Sequence, residues 1–473
     1  MDDTFEVIKV QKRSSKRMGT EPIVPLLFRL SIPSIIAMAI QALYNVVDSI
    51  YVGRLGTDPL SALSLSFPLQ MIIIAIAVGT GVGTSSLISR LLGQGKRKQA
   101  SNAAEHVILI SLFYSVLMAL IGYFLSDRLF VIFTNDPNLI NLGTQYISII
   151  LMGSVALFFP MISNNILRGE GNTFVPMLVM IIGAVINIIL DPFLIYGLWI
   201  FPQMGIQGAA IATVTARLLS GIFLLIMLFS DKNELKMNLK TFEFDFNVIF
   251  EIYRVGFPAM IMQFLASFML AGMNRILGTF NSTAIAAAGI YFRLQSFVFM
   301  PVFGLNQGYM PIVGYNYGHN NPKRMMKTIK LAGLIAFVFT TAGFILFQSI
   351  PQLLISLFNS DPELIEIGTT ALKRISIAFP IIGPAIIVST TFQAMGKGLP
   401  SLFFSFLRQI IILLPLMYLL GQWYGLSELW YAFPISEIIS IIPAAIWLKI
   451  TLNSVTTKME QRKNMPDFSK DTG

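Results

Sequence analysis

Two carboxylates, Asp48 and Asp191, stand inside stretches of sequence that are otherwise almost wholly apolar. Gln41, Tyr44 and Asn45 precede Asp48 by seven, four and three residues, a spacing that puts all four on one face of a helix. Asn187 precedes Asp191 by four, and Pro192 follows it directly. A proline has no N–H, so in a helix the carbonyl of Ile188 loses its donor. Carboxylate, amide and free carbonyl together make an oxygen-rich setting that suits a proton or a Na⁺ ion. Thr213 lies about as far from the end of its own apolar stretch as Asp191 does, and would bring a hydroxyl to the same depth. A charge in a membrane span costs about 2.5–3.5 kcal/mol on insertion scales, so each carboxylate is a functional candidate. The competing reading is that these groups hydrogen-bond neighbouring helices and pin them together.

Other chemistry is sparse. Glu437 and Arg293 are the remaining conspicuous charges in apolar runs, each open to helix pairing, a solvated position or substrate contact. Met260 and Phe264 belong to a Met- and Phe-rich stretch that could line a cavity for bulky, varied ligands. With no cysteine and only His106 and His319, thiolate chemistry is excluded and a His-based metal site nearly so. The Gly-Gln-Gly-Lys stretch ending at Lys96 lacks the spacing and hydroxyl of a phosphate loop, so ATP is not the direct energy source.

These residues must be carried by membrane helices. Of 473 residues, 55% are hydrophobic and 12% charged, against about 25% charged in a soluble domain, and mean hydropathy is +0.72. Runs long enough to cross a bilayer lie near 26–52, 61–89, 104–125, 142–166, 174–198, 206–229, 251–277, 284–313, 331–351, 364–390, 399–421 and 428–448. The spacing therefore predicts an all-α integral membrane protein of twelve transmembrane helices. With this division, 25 of the 33 Lys and Arg fall on the side of the N-terminus and three, Arg54, Arg128 and Arg275, on the other. The positive-inside rule then places both termini in the cytoplasm, in accord with an even number of spans. The net charge of +9 thus reads as a topogenic signal, and no nucleic-acid partner is expected.

The chain is duplicated. At an offset of 225 the twelve residues from Phe133 lie over those from Phe358 with seven identities, and the same register pairs Arg29 with Arg254, Pro33 with Pro258, Gln70 with Gln295 and Gly83 with Gly308. Six spans per repeat give two pseudo-symmetric six-helix lobes in the same orientation, an architecture that secondary transporters use for alternating access. The expected division is a tail at 1–25, a first lobe at 26–229, a charged linker at 230–250, a second lobe at 251–448 and a tail at 449–473. Asp48 falls on Met273 and Asp191 close to Leu414 and Pro415, so the second lobe repeats neither carboxylate.

Tyr44-Asn-Val-Val-Asp48-Ser-Ile-Tyr-Val-Gly-Arg-Leu-Gly56, Leu167-Arg-Gly-Glu-Gly-Asn172, Asn187-Ile-Ile-Leu-Asp-Pro-Phe-Leu-Ile-Tyr-Gly197 and Gly208-Ala-Ala-Ile-Ala-Thr213 resemble the multidrug and toxic compound extrusion (MATE) family. The likeness covers nearly the whole chain and is strongest to the prokaryotic branch related to the DNA-damage-inducible efflux proteins. It implies a V-shaped, twelve-helix exporter in the plasma membrane that expels organic, often cationic or aromatic, compounds in exchange for H⁺ or Na⁺, needs no cofactor and works as a monomer in the bilayer. The coupling cluster it implies is Gln41, Tyr44, Asp48, Asn164, Asn165, Asn187, Asp191 and Thr213, with a Na⁺ held by Asp48, Asn187, Asp191 and Thr213. Pro33, with Pro192, is expected to act as a hinge. The alternative within transport is a lipid-linked oligosaccharide flippase, which would line its cavity with several Arg and Lys; only Arg293, Arg217 and Arg408 could serve.

Overall fold

The structure is a computed structural model that describes residues 14–230, 233–238, 240 and 242–464. Both ends of the chain, and Asp231 and Lys232 of the expected linker, lie outside the described residues. Those residues form helices and no strand. Ten helices are long and apolar enough to cross a membrane: Ile23–Gly53, Thr57–Gly93, Arg97–Val131, Phe174–Tyr196, Gly205–Leu228, Phe246–Leu277, Ser282–Gly318, Pro322–Ser349, Gly398–Tyr424 and Leu426–Gln461. Two more spans are broken, Pro137–Met152 with Val155–Gly169 bent by 49°, and Pro362–Ser376 with Phe379–Ala394 bent by 52°. The twelve spans are thus present, and the fourth and tenth are not the straight helices that their apolar runs suggest. The breaks fall at Gly153-Ser154 and Ile377-Ala378, within one residue of the repeat's 225-residue offset.

The repeat also explains how these bent spans begin. Asp136 caps the fourth by accepting from the N–H groups of Asn138 and Leu139, and Asp361 caps the tenth by accepting from Glu363 and Leu364. A proline stands first in each helix, where its missing N–H costs nothing. Asn138 then donates to Asp58 at 2.7 Å, whereas its mate Glu363 accepts from Asn281 at 2.9 Å. Each helix start is thus tied to the start of the second span of its repeat, through partners two positions apart in the register.

The fifth and sixth spans are set close by small residues. Gly208, Ala209, Ala210 and Ala212 are buried on one helix, and a Cβ at Gly208 would come within 2.5 Å of the Leu194 carbonyl oxygen. Only glycine permits that approach. Tyr196 donates to the carbonyl of Tyr51 at 2.8 Å, which fixes the end of the fifth span to the first, one turn beyond Asp48.

The chain divides into two compact units. Of the described residues, one takes those up to Lys16, Ile32–Ile88 and Lys96–Gly256; the other takes Arg17–Ser31, Ser89–Gly95 and those from Phe257 on. The borders in the first and seventh spans, after Ser31 and after Gly256, are again 225 residues apart. The described part of the linker is tied to the first unit: Glu105 accepts from the Asn238 N–H at 2.7 Å, His106 Nε2 from the Asp245 N–H at 2.8 Å, and Glu234 pairs with Arg97 at 3.1 Å. Within the second unit Tyr291, Phe299, Phe347, Phe379 and Trp430 form an aromatic core.

Candidate functional site

Within the first unit, the contact between the fifth and sixth spans brings three polar side chains together. Asn187 Nδ2 donates to Asp191 Oδ1 at 3.2 Å and to Thr213 Oγ1 at 3.4 Å, and the Tyr44 hydroxyl lies 3.5 Å from the same Thr213 oxygen. Asp191 is fully buried, and Tyr44, Asp48, Asn187 and Thr213 are each at most 9% exposed. The bonds are long for their type. Three buried oxygens, Asp48 Oδ1, Asn187 Oδ1 and Asp191 Oδ2, accept no hydrogen bond from any described residue. Buried acceptors without donors are uncommon and costly, and this set is short of positive charge or protons. Asp48 and Asp191 lie within electrostatic reach of one another, and Arg217 within reach of Asp48.

The other candidates lie apart from this cluster. Gln41 donates to Asn45 at 3.2 Å on an exposed stretch of its own helix. Asn165 is turned to the carbonyl of Met161, accepts from Arg168 at 3.5 Å and packs against Gly81. Asn164 is buried with its Oδ1 unpaired. Both asparagines stand within about one and a half turns of the C-terminal end of the helix Val155–Gly169, and Asp191 is as close to the C-terminal end of Phe174–Tyr196, the next span, which crosses in the opposite direction. No hydrogen bond among the described residues joins either to Asp191. Pro33 and Pro192 sit inside unbroken helices. In the second unit Arg293 is exposed, Met260 is buried and Phe264 half-buried, and Glu437 is buried and accepts from Arg408 NH1 at 2.7 Å.

Tyr146 escapes sequence reasoning. It is buried in the fourth span within electrostatic reach of Asp48, Tyr44, Arg217 and Asp191. One tyrosine in an apolar run gives no signal of its own, and it reaches the cluster through the packing of the fourth span on the sixth.

A model of the MatE family matches the chain twice, over residues 33–193 and 258–419, and the two matches begin 225 residues apart, at the offset of the repeat. The FAD transporter of Shewanella oneidensis is 30% identical over 426 residues, which cover 88% of this chain and 92% of that one. The multidrug export protein MepA of Staphylococcus haemolyticus is 28% identical over 87% of this chain and 90% of its own. Among solved structures, a MATE protein in complex with MaL6 matches with a TM-score of 0.88 at 27% identity, covering 94% of this chain and 99% of that one. A MOP superfamily transporter from Pyrococcus furiosus matches at 0.87 with the same identity, covering 94% and 98%. On these matches, with twelve spans and a repeat in register, the chain belongs to the MatE family of multi-pass membrane efflux transporters.

Proposed function

We propose that this transporter is an antiporter that exports small organic compounds in exchange for H⁺ or Na⁺ and couples them through Asp191 and Asp48. The observation that carries the reading is the buried group of unpaired oxygens on Asp48, Asn187 and Asp191. Carboxylates out of water are tolerated when protonated or paired with a cation, so the cluster has two occupied forms. A proton would settle on a carboxylate oxygen and be shared by the pair. A Na⁺ would draw on Asp191, Asn187, the Thr213 hydroxyl and the Ile188 carbonyl that Pro192 leaves without its donor. Antiport needs only that the loaded and empty forms favour different conformations, because a ligand without differential affinity shifts no equilibrium. In this reading both termini face the cytoplasm and the protein resides in the plasma membrane.

The test is efflux of an organic dye from proteoliposomes under separately imposed proton and sodium gradients. Asp191→Asn keeps the shape and removes the charge. It is expected to fold, to bind dye within a few-fold of the unaltered protein, and to lose gradient-driven efflux. Gradient-driven efflux retained in that variant would make Asp191 structural and overturn the assignment.

A second reading comes from the FAD transporter of S. oneidensis: the exported compound would be a flavin nucleotide, whose phosphates would find a counter-ion in Arg217 of the first unit, within electrostatic reach of Asp48. FAD and dye tested in the same vesicles separate the two.

A further inference from the structure

The second unit holds a cavity of its own, of about 190 Å³, where Asn306, Gln393, Ser405, Arg408, Glu437 and Ser440 meet apolar side chains. Its charged pair has no counterpart in the first repeat. At offsets of 225–227, Arg408 falls on Gly183, Ile182 or Ile181 and Glu437 on Ala212, Ile211 or Ala210, all apolar. The eleventh span is distorted where it meets the cavity: Leu407–Leu413 is a π-helix. Such widened turns are rare and frequent at functional sites, and this one carries Arg408 to within 2.7 Å of Glu437 on the last helix.

The pair is not closed on itself. Glu437 is 93% buried, as only 7% of it is exposed, yet its Oε2 accepts no hydrogen bond, and neither does Asn306 Oδ1 on the same wall. Both unpaired atoms are acceptors, so a ligand there must bring N–H or O–H donors. Arg408 beside them repels a simple cation and offers a fork of donors suited to a carboxylate. The volume is below the roughly 300–1,000 Å³ of sites for drug-sized molecules. We propose that this cavity binds a small zwitterionic solute of the α-amino acid type, its ammonium on Glu437 and Asn306 and its carboxylate on Arg408. A lipid headgroup carries similar charges, but Arg408 stands ten residues into a helix that begins at Gly398. At about 1.5 Å per residue that is near the middle of a hydrocarbon layer about 30 Å thick, beyond the depth of headgroups.

The experiment is calorimetric titration of the full chain in phosphatidylglycerol nanodiscs with L-alanine, L-serine and L-glutamine, and with propionate and isopropylammonium as acid and amine alone. At least one amino acid should bind, and the acid and the amine should bind at least about tenfold more weakly, the loss expected for one charge-assisted contact. Ser405→Leu, which fills the cavity without touching the pair, should abolish binding. So should the double change Arg408→Met with Glu437→Leu, which removes both charges and leaves no buried ion alone. Asp191→Asn should leave it unchanged, so this site and the coupling cluster fail separately. No binding by any amino acid, equal binding of propionate or isopropylammonium, or binding that survives both the cavity-filling and the double variant would overturn the proposal.

Discussion

Glu170 follows the last turn of the fourth span, outside the membrane-spanning segment, and is 1% exposed. Burial, and then the neighbouring Glu234, push its carboxyl well above the usual carboxylate range, against the opposing pull of N–H groups from Leu235 and Glu234. A carboxyl that binds its proton more tightly in the folded state contributes most below its ordinary value. That contribution is lost as pH rises toward the folded value. Glu170→Gln keeps a carbonyl for the two N–H donors and removes the titration. It is expected to raise the melting temperature by a few degrees at about pH 8 and by less at about pH 5. An equal change at both values would show that Glu170 is ionised in its pocket. This residue gives no sign in the sequence, because its burial depends on a linker folded back from 64 positions away. Asp191 does give one, because a charge between Leu190 and Pro192 in an apolar run has few structural explanations.

At the scale of elements, hydropathy marks where helices run but is blind to their internal geometry. The bends at Gly153-Ser154 and Ile377-Ala378 and the π-helix at Leu407–Leu413 arise from packing between helices, and apolar runs read the same whether straight, bent or widened. Proline is the exception, since its effect is local. Pro33 stands two residues past the border at which the first span passes from one unit to the other, and Pro258 stands in the same place in the seventh. Each removes one backbone hydrogen bond there, which makes bending easier at that point than elsewhere in the helix. Pro33→Ala restores the bond. It is expected to fold, to bind dye, and to transport several-fold more slowly with an altered pH dependence of efflux. Unchanged transport with an unchanged pH profile would remove the hinge from the mechanism.

For the whole molecule, the register of the repeat ties together observations that are otherwise separate: the starts of the two family matches, the paired aspartate caps and the paired unit borders recur at 225 residues, and the paired bends at 224. Duplication of a six-span piece fixes parallel orientation, so a single measurement of sidedness sets the direction of both halves. The 25-to-3 division of basic residues predicts which way that is, because Lys and Arg next to spans are retained on the cytoplasmic side. Asn138, in the exposed first turn of the fourth span, and Lys236, in the linker, fall on opposite sides of the twelve-span arrangement. The chain has no cysteine, so Asn138→Cys and Lys236→Cys each introduce one reporter. In intact cells an impermeant thiol reagent should label the first and leave the second, and in inverted vesicles the pattern should reverse. Labelling of both from outside would mean an even number of spans between them, two or four where three are drawn, and the parallel repeat would fall with the topology.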